Sequence, residues 1–322
     1  MSKRLYLTAA AGALCVALAQ SAAAQAVKVT PLGGIDGEFC AQDRALVFED
    51  PNGTRLLYDP GHTVAGGGDP RLGKIDVVLL SHMHNDHLGE AHIKAVNAGT
   101  CAKPDVSVPT PDSNVVDIAL AKKARIVTGS EMPPFVAARL KAGGGDPANS
   151  MLARFGGSVT VVGGVKIATV AALHSNGVDP DYIGGELGKA MKAAGIAGDV
   201  GPATGYVLRF SNGLVAYLSG DTGILADQQR VIHDYYHANL VVMNMGDGFT
   251  TGPAEAAYVI NELVKPASVI PSHANEVGTV DGKVRPGSKT EAFAKAVGVP
   301  VHVPLSGKTM EFDGTGKCTA GC

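Results

Sequence analysis

Metal-binding side chains crowd into one short segment of the chain, His82-Met83-His84-Asn85-Asp86-His87, directly after the apolar run 75–80. Alternation along a strand points His82 and His84 in the same direction. A turn at the end of that strand then brings Asp86 and His87 round the same space. Imidazole and carboxylate groups suit zinc, iron or manganese, and so many of them are costly to desolvate unless a cation lies among them. The segment therefore predicts a metal site.

Three more residues extend the pattern, because each follows an apolar run that predicts a strand. His174 comes after 170–173, Asp221 after 214–218 and His273 after 269–271. Taken singly, each has an ordinary explanation as a capping residue, a turn residue or a hydrogen-bonded strand end. Their recurrence at the ends of predicted strands favours one shared site over three unrelated positions.

The elements that would position these residues alternate along the chain. Predicted strands cover 27–31, 44–49, 54–58, 75–80, 106–108, 159–162, 165–172, 205–210, 214–218, 240–245, 269–271 and 301–303. Predicted helices cover 86–97, 115–124, 135–142, 226–236, 253–264 and 289–297. Strands followed by helices, twice over, predict two β-sheets packed together with helices outside. The Gly-rich stretch 176–202 lacks periodicity and predicts a loop over the site.

The metal-binding residues together resemble a known pattern. The set His82-x-His84-x-Asp86-His87, then His174, Asp221 and His273, is similar to the five metal motifs of the metallo-β-lactamase superfamily. The resemblance implies an α/β fold, the αββα sandwich, with two mixed sheets and the site at one edge of them. It spans most of 27–322, which we expect to be one metallohydrolase domain. The segments 246–256 and 270–273 resemble the branch that contains ascorbate-6-phosphate lactonase.

The resemblance also implies a role for each residue. It assigns His82, His84 and His174 to a first metal, Asp86, His87 and His273 to a second, and Asp221 to a bridge between them. The expected cofactors are two divalent ions, zinc with manganese or iron as alternatives. Two such ions sharing a water produce a hydroxide nucleophile near neutral pH, which Asp86 would orient as the catalytic residue. His62, Asp247 and Thr250 are the expected substrate contacts.

Several activities are compatible with this pattern. The favoured activity is cleavage of a small ester or lactone. Phosphodiester hydrolysis is the alternative, because it needs the same pair of metals. β-Lactam hydrolysis is disfavoured, because true zinc β-lactamases have no carboxylate that bridges both metals, as Asp221 would. A mononuclear iron oxygenase of persulfides would keep the fold but leave Asp86, His87 and His273 superfluous.

Composition limits the partners. The chain has 322 residues, 45% of them hydrophobic, with a formal net charge of −3, 5% aromatic residues and no tryptophan. Such a chain offers neither a basic surface nor a stacking platform for nucleic acid. The expected partner is therefore a small-molecule substrate.

The first residues have the layout of an export signal. Lys3 and Arg4 precede an apolar stretch at 5–19, and small residues at 21–26 suit cleavage after Ala24 or Ala26. We therefore expect a signal peptide at 1–26, a periplasmic or secreted protein and no membrane anchor after cleavage. The four cysteines beyond it suggest disulfides, for which the favoured pairs are Cys40–Cys101 and Cys318–Cys322.

Overall fold

Two β-sheets lie face to face in the computed structural model, which describes residues 26–161 and 163–322. The strands are β1 (Val27–Pro31), β2 (Leu46–Glu49), β3 (Arg55–Tyr58), β4 (Val77–Leu79), β5 (Ala91–Ile93), β6 (Val106–Pro109), β7 (Arg125–Thr128), β8 (Ser150–Leu152), β9 (Val159–Thr160), β10 (Lys166–Ala171), β11 (Gly177–Val178), β12 (Gly198–Asp199), β13 (Thr204–Arg209), β14 (Val215–Leu218), β15 (Leu240–Asn244), β16 (Ser268–Ser272), β17 (Thr279–Val280), β18 (Lys283–Val284), β19 (Met310–Phe312) and β20 (Cys318–Ala320). The first sheet has the order β20-β19-β1-β2-β3-β4-β7-β8 and the second β16-β15-β14-β13-β10-β9. Both sheets mix parallel and antiparallel pairs.

Helices cover the outer faces of the two sheets. They are α1 (Asn85–Leu88), α2 (Asn114–Lys122), α3 (Met132–Ala142), α4 (Pro180–Ile183), α5 (Gly185–Ala194), α6 (Pro253–Tyr258) and α7 (Lys289–Ala296), with a 3-10 turn at Pro147–Asn149 and π-helical segments at Gln228–Tyr236 and Val259–Val264. The α2 and α3 helices pack on the first sheet. The α6 and α7 helices and both π-helical segments pack on the second. The predicted αββα sandwich is therefore confirmed.

The main core lies between the sheets. Phe48 and Leu56 of the first sheet meet Ile167 and Leu208 of the second, and all four side chains are buried. Burial of each such side chain contributes roughly 1.5–3 kcal/mol. These side chains fill the space between the sheets. The polar residues that follow the strands therefore lie outside this core, at the edge of the sandwich.

The predicted helix 86–97 is wrong. Helix α1 ends at Leu88 because Gly89 takes a left-handed conformation, with φ of 75°. A Cβ at Gly89 would lie 2.4 Å from the carbonyl oxygen of Gly61, so only glycine fits there. The chain then enters strand β5. The short helix keeps Asp86 and His87 on one tight turn.

Other predicted elements differ in detail. The stretch 176–202 is not a bare loop, because it contains β11, α4, α5 and β12. The predicted strand 301–303 is reduced to a single bridge between Val301 and Val269. Strand β9 ends at Thr160, and Val162 lies outside the described residues. Nine of the described strands were not predicted: β5, β7, β8, β11, β12, β17, β18, β19 and β20.

The ends of the chain bear on the export prediction. Residues 1–25 of the predicted signal peptide lie outside the described residues. The structure joins Cys40 to Cys101 and Cys318 to Cys322, the two pairs favoured by the sequence. Over 26–161 and 163–322, no helix combines the length and the apolar character needed to cross a membrane.

Candidate metal centre

Strand direction gathers the candidate ligands at one edge of the sandwich. Strands β10 and β14 both run antiparallel to β13, and β15 and β16 run parallel to β14. The carboxyl ends of β10, β14 and β16 therefore meet at the same edge. His174, Asp221 and His273 follow these three ends. The segment after β4 in the other sheet brings His82 to the same place.

The first group of ligand atoms comes from three histidines. His84 Nδ1 lies 3.1 Å from His82 Nε2 and 3.2 Å from His174 Nε2. Ligand atoms about 2.0–2.1 Å from a tetrahedral zinc ion are about 3.3 Å apart. Burial lowers the pKa of all three histidines, that of His82 well below its ordinary value. These rings are therefore held neutral, the form that binds a metal.

The second group combines a carboxylate with two histidines. Asp86 Oδ2 lies 3.6 Å from His87 Nε2 and 3.2 Å from His273 Nε2. The backbone of His273 is left-handed, with φ of 56°. That conformation is uncommon for a residue with a Cβ and concentrates at functional sites. The His273 carbonyl also approaches Gly246, where a Cβ would lie 1.9 Å from its oxygen.

Asp221 lies between the two groups. Its Oδ2 atom is 3.9 Å from His82 Nε2, 3.8 Å from His174 Nε2 and 3.0 Å from His273 Nε2. Its Oδ1 atom is 3.4 Å from His87 Nε2. Asp221 Oδ1 and His87 Nε2 are buried and have no hydrogen-bond partner within the described part of the chain. A cation between them would satisfy both, so the donor set fits a metal ion.

Two residues that the sequence did not single out set the protons on the ligands. The carboxylate of Asp59 accepts hydrogen bonds from Ser81 Oγ at 2.7 Å and from His87 Nδ1 at 2.8 Å. Since Ser81 donates its only proton to Asp59, its Oγ must accept from His82 Nδ1, 2.9 Å away. His82 and His87 therefore both carry their proton on Nδ1. Each Nε2 keeps its lone pair for a metal.

The charges around His87 also call for a cation. Burial opposes protonation of this ring, but the carboxylates of Asp221, Asp86 and Asp59 outweigh burial and raise the pKa of His87 to about 10. Burial likewise opposes ionisation of Asp221, yet His87 and His273 hold the pKa of Asp221 well below its usual range. Without a metal, a proton supplies the positive charge, and a divalent ion would replace it.

Arg44 is a further residue that sequence reasoning missed. Its Nε donates to Asp86 Oδ2 at 2.8 Å, and its Nη2 lies 2.7 Å from the same oxygen. The Nη2 group also donates to Asn275 Oδ1 at 2.9 Å. Burial opposes ionisation of Asp86, but His87, Arg44 and His273 hold its pKa well below its ordinary value. Arg44 therefore orients Asp86 and, with His87 and His273, keeps it ionised.

A cleft of about 660 Å³ opens onto both groups. Its lining includes His84, Asp86, His174, Asp221 and His273. The remaining wall is formed by Asn85, Ser175, Gly177, Asp179, Pro180, Ala197, Phe249 and Asn275. The volume lies within the roughly 300–1,000 Å³ of small-molecule sites. The stretch 176–202 contributes to this wall, so its predicted position beside the site is confirmed.

The three expected substrate contacts do not line this cleft. His62 Nδ1 donates to the carbonyl oxygen of Ala91 at 2.6 Å. Asp247 is exposed and accepts from the N–H of Gly248, and Thr250 is half-buried. Phe249, between the last two, does line the cleft. A substrate contact of His62, Asp247 or Thr250 stays a prediction.

Comparison with known proteins agrees with this geometry. A family model described as "Beta-lactamase superfamily domain" matches residues 42–273. A UPF0173 metal-dependent hydrolase of Koribacter versatilis is 28% identical over 265 residues, covering 80% of this chain and 91% of that protein. A UPF0173 metal-dependent hydrolase of Polynucleobacter asymbioticus is 25% identical over 319 residues, covering 97% of this chain and 99% of that protein.

A solved structure has the same fold. Igni18, described as a novel metallo hydrolase from the archaeon Ignicoccus hospitalis, superposes with a TM-score of 0.59 at 21% identity. The match covers 89% of this chain and 99% of that one. At this identity the likeness extends to the fold.

Proposed function

The chain belongs to the beta-lactamase superfamily and is a metal-dependent hydrolase, and from that premise we propose that it cleaves a small ester or lactone with two zinc ions. The observation that carries the proposal is the position of Asp221. One carboxylate lies within 4 Å of ligand atoms from both groups, 3.8 Å from His174 Nε2 and 3.0 Å from His273 Nε2. A single metal would leave part of this donor set unused.

Apart from Asp221, the two metals would be held by different ligands. His82, His84 and His174 would hold the first, and Asp86, His87 and His273 the second, with Asp221 shared. When bound, two such ions lower the pKa of a shared water and polarise the substrate carbonyl. Manganese or iron would suit the same oxygen and nitrogen donors.

Asp86 would orient the attacking water. Its Oδ2 carries the contacts to Arg44 and His273, which leaves Oδ1 to accept a hydrogen bond from that water. The low pKa of Asp86 makes it a weak proton acceptor. Its proposed role is therefore orientation, maintained by the guanidinium of Arg44.

The alternatives fit the site less well. A phosphodiester carries a charge that basic side chains usually neutralise, and the described lining of the cleft contains no lysine or arginine. A mononuclear iron oxygenase would have no use for the second group of ligands. A β-lactamase would have no need of a shared carboxylate at Asp221.

Substitution of Asp221 tests the shared carboxylate. We expect Asp221→Ala to lower metal content and abolish hydrolysis, because the two cations would then repel each other. Asp221→Asn keeps the shape but removes the charge, so it should retain some metal and lose most turnover. Metal content by elemental analysis and turnover of a simple lactone are the two measurements.

A matched control is available in a turn. Asp313 Oδ1 accepts hydrogen bonds from the N–H groups of Thr315 and Lys317. Asn makes the same local bonds, so Asp313→Asn should leave metal content and turnover at the level of the parent protein. If Asp221→Asn behaves like this control, Asp221 is not shared between metals and the proposal fails.

Export is part of the proposal. It is supported by the signal-like layout of residues 1–26 and by two disulfides, which persist in oxidising compartments. We expect the mature chain to begin at Gln25 or Val27. N-terminal sequencing of protein recovered from the periplasm or medium tests this, and an intact Met1 there would contradict it.

A further inference from the structure

The surface of the cleft is more apolar than polar, and beyond the candidate ligands it also includes the polar residues Asn85, Ser175 and Asn275. Pro180, Ala197 and Phe249 contribute to it, and Asp179 is the one charged residue that the described lining adds to the candidate ligands. The guanidinium of Arg44 contacts the lining but already donates to Asp86 and Asn275. A charged group on the part of the substrate that lies beyond the candidate ligands would find no basic side chain in the described lining to offset its desolvation.

Phe249 stands out in that wall. Its side chain is 80% exposed although it lines the cleft. The loop that carries it is anchored, since Thr251 N–H donates to Thr222 O, and Asn244 Nδ2 donates to Thr251 Oγ1 at 2.8 Å. Thr222 follows Asp221 directly. The loop that carries the exposed ring is therefore anchored beside the candidate metal centre.

Three other exposed apolar side chains belong to segments that also contain cleft-lining residues or candidate ligands. We name Leu173, Ile196, Ile224 and Phe249 the apolar rim; they are four of the nine large hydrophobic side chains exposed in the described residues. Leu173 directly precedes His174, and Ile196 directly precedes Ala197. A Cβ on Gly223 would lie 3.3 Å from Leu173 Cδ2, so Leu173 contacts the segment that leads to Ile224. Exposed apolar side chains in the segments around a cleft favour a binding site for an apolar group there.

We propose that the substrate is an uncharged ester or lactone bearing an apolar side group. This group packs on the apolar rim, above all on Phe249. The proposal rests on the ester or lactone chemistry proposed above and adds the recognition element. The candidate metal centre holds the reacting carbonyl, and the apolar group gains affinity by leaving water. Beyond the candidate metal centre, an anionic group such as a phosphate would meet Asp179 and, in the described lining, no basic side chain.

The test compares lactones that differ only in the side chain. Parent enzyme is assayed with lactones bearing ethyl, hexyl and decyl groups, and with a lactone of hexyl length that ends in a carboxylate. We expect kcat/KM to rise by up to about fourfold for each methylene that the wall buries. The carboxylate-ended lactone should fall at least about tenfold below its hexyl counterpart.

Variants locate the effect. Phe249→Ala should flatten the ratio of decyl to ethyl kcat/KM toward one, and Phe249→Leu should restore part of it. Tyr235→Ala is the matched control, because Tyr235 is an aromatic residue 66% exposed that does not line the cleft. That control should keep the dependence on chain length seen in the parent.

Binding of unreactive γ-lactams with the same side chains separates the two proposals. If their affinity, measured by calorimetry, rises with chain length while no lactone is hydrolysed, the apolar recognition holds and the ester or lactone chemistry fails. Turnover without dependence on chain length overturns the apolar recognition and keeps the chemistry. A preference for the carboxylate-ended lactone, or a dimer that Phe249→Ala dissociates, would also overturn it.

Discussion

The proton on His87 depends on Asp59. The side chain of Asp59 is fully buried, accepts from the N–H of Ser81 at 2.8 Å on Oδ1, and from Ser81 Oγ and His87 Nδ1 on Oδ2. Because a carboxylate only accepts, Nδ1 of His87 must carry the proton. Nε2 is then free for a metal.

Asp59→Asn should reverse this arrangement. The amide oxygen is kept on Oδ1 by the N–H of Ser81, so the amide NH₂ faces His87 Nδ1. Two donors cannot bond to each other, so His87 must accept on Nδ1 and carry its proton on Nε2, where the proton blocks the metal. The backbone of Asp59 has φ of 39°, a conformation that asparagine tolerates, so we expect the fold to persist.

The size of the effect follows from the lost contact. A hydrogen bond to a charged group contributes about 1.5–3 kcal/mol, which corresponds to roughly 10–150-fold in an equilibrium constant. Loss of a partner that orients a metal-binding histidine typically weakens metal affinity by about 10–100-fold. The two estimates agree. Asp59→Asn should therefore weaken zinc binding by about 10–100-fold.

Competition with a chromophoric chelator measures this change. Parent and variant are titrated with zinc, and circular dichroism confirms that the variant is folded. Asp313→Asn is the control, because Asp313 accepts hydrogen bonds within a turn away from the candidate ligands and its variant should keep the zinc affinity of the parent. Zinc affinity of Asp59→Asn equal to that of the parent would refute the argument that Asp59 sets the proton on His87.

Two further predictions concern stability. Burial and two neighbouring carboxylates raise the pKa of Glu90 from 4.5 to about 7, so the stabilisation from its protonated form is present below pH 4.5 and lost as pH rises through 7. The free energy of unfolding of the parent minus that of Glu90→Gln should therefore be lower at pH 8 than at pH 5. Urea titrations that give the same value of this difference at both pH values would contradict the prediction. Loss of the Cys40–Cys101 disulfide, whose sequence separation is 61, should lower the free energy of unfolding by about 4 kcal/mol. Urea unfolding of Cys40→Ser/Cys101→Ser measures it, and the C-terminal pair, separated by 4 residues, should matter less.

The sequence was sufficient for what depends on neighbouring residues. A buried strand such as β4 is visible in the sequence as an apolar run. The spacing of the histidines that follow it is also given by the sequence and does not depend on the rest of the fold. The candidate ligands His82, His174, Asp221 and His273 each follow such a strand. The prediction of one shared site could therefore be made, because strands that run the same way in a sheet end at the same edge.

Tertiary structure decided what depends on residues far apart in sequence. Asp59 reaches His87 because β3 pairs with β4, and Arg44 reaches Asp86 across 42 positions of the chain. The helix predicted at 86–97 fails because Gly89 must make room for the carbonyl of Gly61, a contact that local propensity does not contain. The exposed side chain of Phe249 likewise becomes part of a candidate binding site only because loops from separate strands enclose a cleft. Side-chain periodicity reports local burial, whereas these contacts are set by the order in which strands pair and by the loops that the pairing brings together.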